Sequence, residues 1–306
     1  MRIGVTGSSG LIGTALIDAL RERGDDVVRF VRPGASTGDS ALAVRWDPAT
    51  HDLDDGDLRK VGGLDAVVHL AGAGIADQRW SKTRRAEIAN SRAQSTSLLV
   101  SAISALPSGC AFVASGSAIG YYGSRGDEIL DESSSPGDDF LAGVCVQWEA
   151  SAEPLRAIGT NVAYLRTGIV MSTRGGALAK QLPLFRLGLG GRLSSGRQWL
   201  SPISLDDEVR AILWLIEGRH DGPFNLTAPN PLTNADFTRT LARSLHRPAM
   251  AAVPSFALEL ALGRDLACDA VLASQRVLPQ RLSELGFTFR HVDAAAILTW
   301  ALQQRR

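Results

Sequence analysis

The chain has 306 residues, enough to bury a large core and to form two lobes. Lysine plus arginine and aspartate plus glutamate each total 32, a balance that argues against a general nucleic-acid or membrane-surface role. The three cysteines, Cys110, Cys145 and Cys268, lie far apart, with neither metal-ligand spacing nor an even-numbered disulfide framework.

The first element is the apolar strand Arg2-Ile3-Gly4-Val5-Thr6, which runs into Gly7-Ser8-Ser9-Gly10-Leu11-Ile12-Gly13 and a helix expected over residues 11–23. Each glycine has a distinct task in gripping a dinucleotide. Gly7 permits a sharp turn out of the strand, Gly10 lets the backbone approach a pyrophosphate, and Gly13 lets the helix pack closely on the sheet. The unpaired N–H groups and the positive dipole end at the helix start then receive the phosphates.

Further strands are expected at residues 26–31, 43–46, 66–70, 110–115 and 161–166, with helices at 82–106 and 140–158. Apolar runs this continuous suit strands covered on both faces, hence an α/β fold with a doubly wound parallel sheet of Rossmann type. After Val170 the glycines of Gly175-Gly176, Gly188-Leu189-Gly190-Gly191 and Gly196 predict a loop-rich stretch, and Gly222-Pro223-Phe224-Asn225-Leu226 reads as a strand returning to the sheet. Helical patterns resume at 235–245, 256–262, 267–273 and 293–303. The expected division is a nucleotide-binding domain over 1–170, to which 203–227 returns, and a smaller, mostly helical lobe from 171–202 and 228–306. No charged-then-apolar leader or bilayer-length apolar run is evident, and a cytoplasmic location is expected.

The second strand ends at Arg32, where NAD-selective folds carry an acid. A guanidinium there can pair with a 2′-phosphate and stack on adenine, which favours NADP(H). The alternative is a solvated arginine at a strand end, a description that also fits Arg29. The fourth strand closes on His69-Leu70-Ala71-Gly72, small residues that leave room at the crevice, and His69 is expected to pack rather than ionise. The other histidines are isolated, so no metal site is expected.

These motifs resemble the extended short-chain dehydrogenase/reductase superfamily, and within it the atypical branch called epimerase family proteins, read as sugar-nucleotide epimerases. The resemblance runs through Gly116-Ser117-Ala118-Ile119-Gly120-Tyr121-Tyr122-Gly123, Leu165-Arg166-Thr167-Gly168-Ile169-Val170 and Phe185-Arg186-Leu187-Gly188-Leu189-Gly190-Gly191. At the far end, Pro229-Asn230-Pro231-Leu232-Thr233-Asn234 and Val277-Leu278-Pro279-Gln280-Arg281-Leu282 resemble the branch's own C-terminal domain, which has no known function. It implies a nucleotide site of Gly7, Ser8, Gly10, Leu11, Ile12, Gly13, Arg32, Leu70, Ala71, Gly72, Glu87, Arg92 and Val170. Arg92 stands where related enzymes carry an Asn. Glu87 and Arg92 read equally well as a helical surface pair.

Members of the superfamily usually combine a Ser with Tyr-x-x-x-Lys, in which the lysine lowers the phenol's pKa for proton exchange during hydride transfer. Ser117 is kept, but the Tyr and Lys positions fall at Phe140 and Val144, and no lysine occurs between Lys82 and Lys180. Phe140, Val144 and Trp148 form an apolar i, i+4, i+8 stripe instead. Tyr121 is the substitute proton donor nearest Ser117, or else a residue that only positions substrate. Arg186, Arg192 and Arg197 around the glycine loop are candidates for an anionic substrate, or solvated side chains. Asp206 is expected to cap a helix.

Two functions follow as expectations. One is an NADP(H)-dependent oxidoreductase or epimerase-like enzyme for a small polar substrate, with a nucleotide sugar as one candidate. The other is a non-catalytic NADP(H) sensor or scaffold with a protein partner, which the branch's association with cell-division control supports.

Overall fold

The computed structural model describes residues 1–35, 42–249 and 251–304. The strands β1 (Arg2–Thr6), β2 (Asp26–Val31), β3 (Leu42–Asp47), β4 (Asp52–Leu53), β5 (Leu64–His69) and β6 (Cys110–Ala118) join Asn161–Thr167 and Gly222–Leu226 in one eight-stranded sheet. Its order is Gly222–Leu226, Asn161–Thr167, β6, β5, β1, β2, β3, β4. Every neighbouring pair is parallel except β3 with β4. This is the doubly wound Rossmann arrangement that the apolar runs predict, and Gly222–Leu226 does return to the edge of the sheet.

Both faces are buried, and the pleat sorts the side chains between them. Ile3, Val5, Ala66, Val68, Phe112 and Ala114 join one core with Leu16 and Leu20 of helix α1 (Leu11–Glu22). Val28, Phe30, Val67, Val113 and Val162 join the opposite core. There they pack on helix α2 (Asp55–Val61) and on Leu98, Leu99 and Ile103 of helix α3 (Lys82–Ser104). The continuous apolar strands thus resolve into two period-2 faces.

Three local readings change. The helix expected over 140–158 ends at Ala152, giving α4 (Phe140–Ala152) and a separate turn Pro154–Ala157, because Pro154 has no N–H to continue the ladder. The stretch after Val170 contains a helix, Gly176–Arg186, hidden in sequence by flanking glycines and Pro183; it buries Leu178, Leu182 and Phe185. Helix Leu205–Gly218 is capped by Ser204, which accepts from the Asp207 N–H at 3.0 Å. Asp206 is therefore not the cap; it lies in the first turn and pairs with Arg290.

The remaining lobe has its own core, in which Leu178, Leu182 and Phe185 meet Phe237 and Leu241 of helix Asn234–Leu245 and Ile297 and Leu298 of helix Ala294–Gln303. Paired strands Ile169–Met171 and Pro202–Ser204 lead out of the sheet toward it. No helix among the described residues is long and apolar enough to cross a membrane.

The strand order reverses between β1 and β5, and the glycine turn sits at that crevice. Gly7 has φ +61°, and a Cβ there would lie 2.6 Å from the Leu70 carbonyl oxygen. A Cβ on Gly13 would collide with the Gly7 carbonyl oxygen, and one on Gly10 would stand 3.2 Å from it. Gly13→Ala is therefore expected to lower stability by about 1–3 kcal/mol, read from urea denaturation. An unchanged midpoint would show that α1 can slide away from the turn.

Candidate functional site

The N-terminus of α1 is bare. Gly10 offers no side-chain cap, the first turn holds no acid, and the first bond back to the turn is the Thr14 N–H to the Gly10 carbonyl. The Leu11, Ile12 and Gly13 amides precede that bond, at the positive end of the helix dipole. Ser8 is buried, and its hydroxyl accepts from Arg29 Nε at 3.1 Å, so a guanidinium from β2 braces the turn.

Thr6 ties β1 to β5 at the same crevice. Its Oγ1 accepts from the Leu70 and Ala71 amides at 3.0 and 3.2 Å, which leaves its proton for His69 Nδ1 at 2.8 Å. His69 Nε2 then donates to Thr96 Oγ1 at 3.1 Å, and Thr96 donates to the Arg92 carbonyl at 2.8 Å. Complete burial pushes the His69 pKa down to about 3, so the ring stays neutral and structural.

A cleft of about 500 Å³ opens beside this crevice. Gly7, Gly10, Leu11, Ile12, Gly13, Leu70 and Val170 line one side, and Gln181, Leu193, Asn234, Phe237, Leu266 and Val271 line the lobe side. A smaller recess of about 220 Å³ adjoins it, since both are lined by Ile75, Gly168, Ile169, Leu200 and Ala270. The recess is enclosed by Arg92, Ala118, Ile119, Leu141, Val144, Cys145, Trp148 and Thr167, with Asp269 and Gln275 at its edge.

The remaining expected residues disperse. Arg32 is exposed at the end of β2. Glu87 faces solvent and pairs with Arg84 at 2.7 Å, whereas Arg92 lines the recess. Ala71 and Gly72 close β5, and a Cβ on Gly72 would meet Arg92 Cγ at 3.3 Å. Arg186, Arg192 and Arg197 do not converge on the cleft. Arg186 ends a helix, Arg192 is exposed on the strand Gly191–Leu193, and Arg197 borders a separate depression with Asp127 and Ser194.

Ser117 and Tyr121 come together, but around Arg166 and not among the residues lining the recess. The Ser117 hydroxyl donates to Glu149 Oε1 at 2.7 Å, and Arg166 grips both Glu149 oxygens at 2.9 and 3.0 Å. The same guanidinium stacks 3.5 Å over the Tyr121 ring and donates to Tyr122 Oη, which donates to Asn225. Burial pushes the Tyr122 phenol up to about 12. Ala118, one residue beyond Ser117, stands on the recess instead. Phe140 packs on Trp80 and Arg85, while Val144 and Trp148 of the apolar stripe form the recess wall with Leu141 and Cys145. Burial raises the Cys145 thiol to about 12, so it does not replace the missing ammonium.

Sequence reasoning passed over one pair. Thr167, on the recess, donates to Oε1 of the fully buried Glu208 at 2.8 Å, and Glu208 Oε2 has no partner. Burial lifts the Glu208 carboxyl from 4.5 to about 8, so it is largely protonated at neutral pH. An acid interrupting an apolar helical face was the available signal.

Two predictions follow from these groups. A folded-state pKa above the unfolded one means that the Glu208 contribution is complete below pH 4.5 and is lost as pH rises through about 8. Glu208→Gln should flatten the fall in denaturation free energy across that window; an unaltered slope would place the charge elsewhere. Arg166→Met, which strands the largely enclosed Glu149 carboxylate beside a buried site, should cost about 3 kcal/mol in chemical denaturation, whereas a loss below about 1 kcal/mol would mean that the pair behaves as a surface one.

Comparison with known proteins gives a consistent setting. A family model described as the NAD dependent epimerase/dehydratase family matches residues 3–226, and a domain of unknown function, DUF1731, matches 253–301. The chain is 41% identical over 300 residues to the epimerase family protein Mb2239 of Mycobacterium bovis, covering 98% of this chain and 97% of that protein. The crystal structure of human epimerase family protein SDR39U1 (isoform 2) with NADPH superposes with a TM-score of 0.87 at 31% identity, covering 99% and 100% of the two chains. The nucleoside-diphosphate sugar epimerase of Corynebacterium glutamicum gives 0.76 at 35% identity, over 98% of this chain and 58% of that one.

Proposed function

The chain belongs to the NAD dependent epimerase/dehydratase family, and from that premise we propose an NADP(H)-dependent oxidoreductase or epimerase-like enzyme whose small substrate sits in the recess. The observation that carries this reading is the bare start of α1 at the strand-order reversal. Three amides and a dipole end are held at an apolar cleft by glycines whose Cβ atoms would fill the cradle. That chemistry fits a pyrophosphate. Leu11, Ile12, Leu70 and Val170 would flank the coenzyme, and Arg32 supplies the cation for a 2′-phosphate, in keeping with the NADPH bound by the human relative.

When bound, the coenzyme supplies a hydride donor or acceptor at its nicotinamide. The chain's own residues exclude water from the recess and handle the proton. Among the described residues, no Tyr, Lys or His lines the recess. The Thr167 hydroxyl, with protonated Glu208 behind it, is the group we assign to proton exchange. Ser117 and Tyr121 then act as positioning residues, through Glu149 and Arg166, for the end of β6. A second reading, coenzyme binding without turnover, draws on the same lack of a phenol–ammonium pair. Oxidation of NADPH in the presence of a carbonyl panel distinguishes the two.

Calorimetry with NADPH and NADH tests the coenzyme assignment. Arg32→Ala should weaken NADPH by roughly 10- to 100-fold, the worth of a charge-assisted hydrogen bond, and leave NADH nearly unchanged. Equal losses for both would remove Arg32 from the phosphate site, and no heat from either coenzyme would defeat the whole reading.

A further inference from the structure

Arg92 is a half-buried cation lining the recess, with no acidic partner among the described residues. Its Nη1 donates to the Ala73 and Ile88 carbonyls at 3.1 and 2.9 Å, and its guanidinium carbon lies 4.8 Å over the Trp148 ring. The Nε–Nη2 edge, the fork that matches a carboxylate, makes no bond among the described residues. Burial lowers the Arg92 pKa, Arg84 repels the guanidinium, and the Cys145 thiol, kept neutral by burial, supplies no counter-charge. Arg84 is itself engaged by Glu87 and Asp77. Burial and the charges of Asp139 and Asp265 raise the pKa of Asp269, which also lines the recess, and Arg85 opposes them.

Trp148 also lines the recess; it is 7% exposed, and its indole Nε1–H is buried with no partner among the described residues. A buried donor without a partner is costly, and so is a half-buried cation without a counter-charge. Ile119, Leu141 and Val144 offer apolar surface, and Thr167, Ser201, Asp269 and Gln275 add polar groups to the lining. At about 220 Å³ the recess is smaller than the roughly 300–1,000 Å³ that holds drug-sized ligands. One guanidinium charge is balanced by one carboxylate charge, which an uncharged sugar does not supply.

We propose that the recess is a carboxylate subsite, in which Arg92 and the Trp148 N–H hold the head of a small monocarboxylic acid and Ile119, Leu141 and Val144 hold its apolar body. The inference rests on the coenzyme reading of the adjoining cleft and names the substrate class for it. It moves Arg92 from the coenzyme to the substrate.

The test is calorimetry with butanoate and 2-oxobutanoate, against uncharged butanamide, 2-butanone and, separately, inorganic phosphate, on NADP⁺-saturated and coenzyme-free protein. Both carboxylates should bind and the uncharged analogues should not. Arg92→Gln should weaken the carboxylates by about 10-fold or more, Trp148→Phe by a smaller factor, and NADPH affinity should hold in both. Arg92→Lys keeps the charge without the fork, should retain part of the binding, and serves if the glutamine variant does not fold. Butanamide binding as well as butanoate, phosphate binding in place of carboxylates, or an equal loss of NADPH in Arg92→Gln would each overturn the proposal. If NADPH fails to bind the unaltered protein, the coenzyme reading falls by itself, and the coenzyme-free titration still decides the recess.

Discussion

The architecture depends on how closely α1 approaches the turn that precedes it. Gly13 lies so near the Gly7 carbonyl that no side chain fits between them, and Gly7 in turn packs under the Leu70 carbonyl at a left-handed φ. Because three backbones meet there without intervening side chains, the helix start stays at the crevice between β1 and β5. Thr6 seals the contact from below by accepting two amides of the β5 turn, and neutral His69 passes the constraint to α3 through Thr96. A loosened turn would disturb both the anion cradle and the backbone around Arg92.

A second constraint holds the far side of the site. Glu149 of α4, Arg166 of the neighbouring strand, Tyr122 after β6 and Asn225 of the edge strand form a connected polar network inside apolar surroundings. Buried charge of this kind adds little net stability but disfavours alternative packings when every partner is satisfied. Here it orients the end of β6, so that Ala118 meets the recess while Ser117 faces Glu149. The residue that sequence would choose for catalysis thereby has its hydroxyl engaged by Glu149.

One wall of the recess is apolar. Leu141, Val144, Cys145 and Trp148 occupy one face of α4, and α4 packs against α3, from which Arg92 extends. The cation that lines the recess, Arg92, therefore comes from α3, and α4 contributes none.

The sequence alone determined the Rossmann core. Glycine spacing, the apolar strand runs and their boundaries are local properties, set by backbone sterics and by burial on both faces, so β1, β2 and α1 could be read almost residue by residue. The absence of a Tyr-x-x-x-Lys pair was also legible, because it is a matter of composition. Tertiary structure decided everything that turns on direction. Whether Ser117 faces the recess, where Arg92 points, that Glu208 is buried behind Thr167, and that Arg186, Arg192 and Arg197 diverge all depend on the packing of segments far apart in the chain. Residue type sets what a side chain can do; only its neighbours in space set what it touches, and these groups lie on elements whose mutual orientation no local pattern encodes.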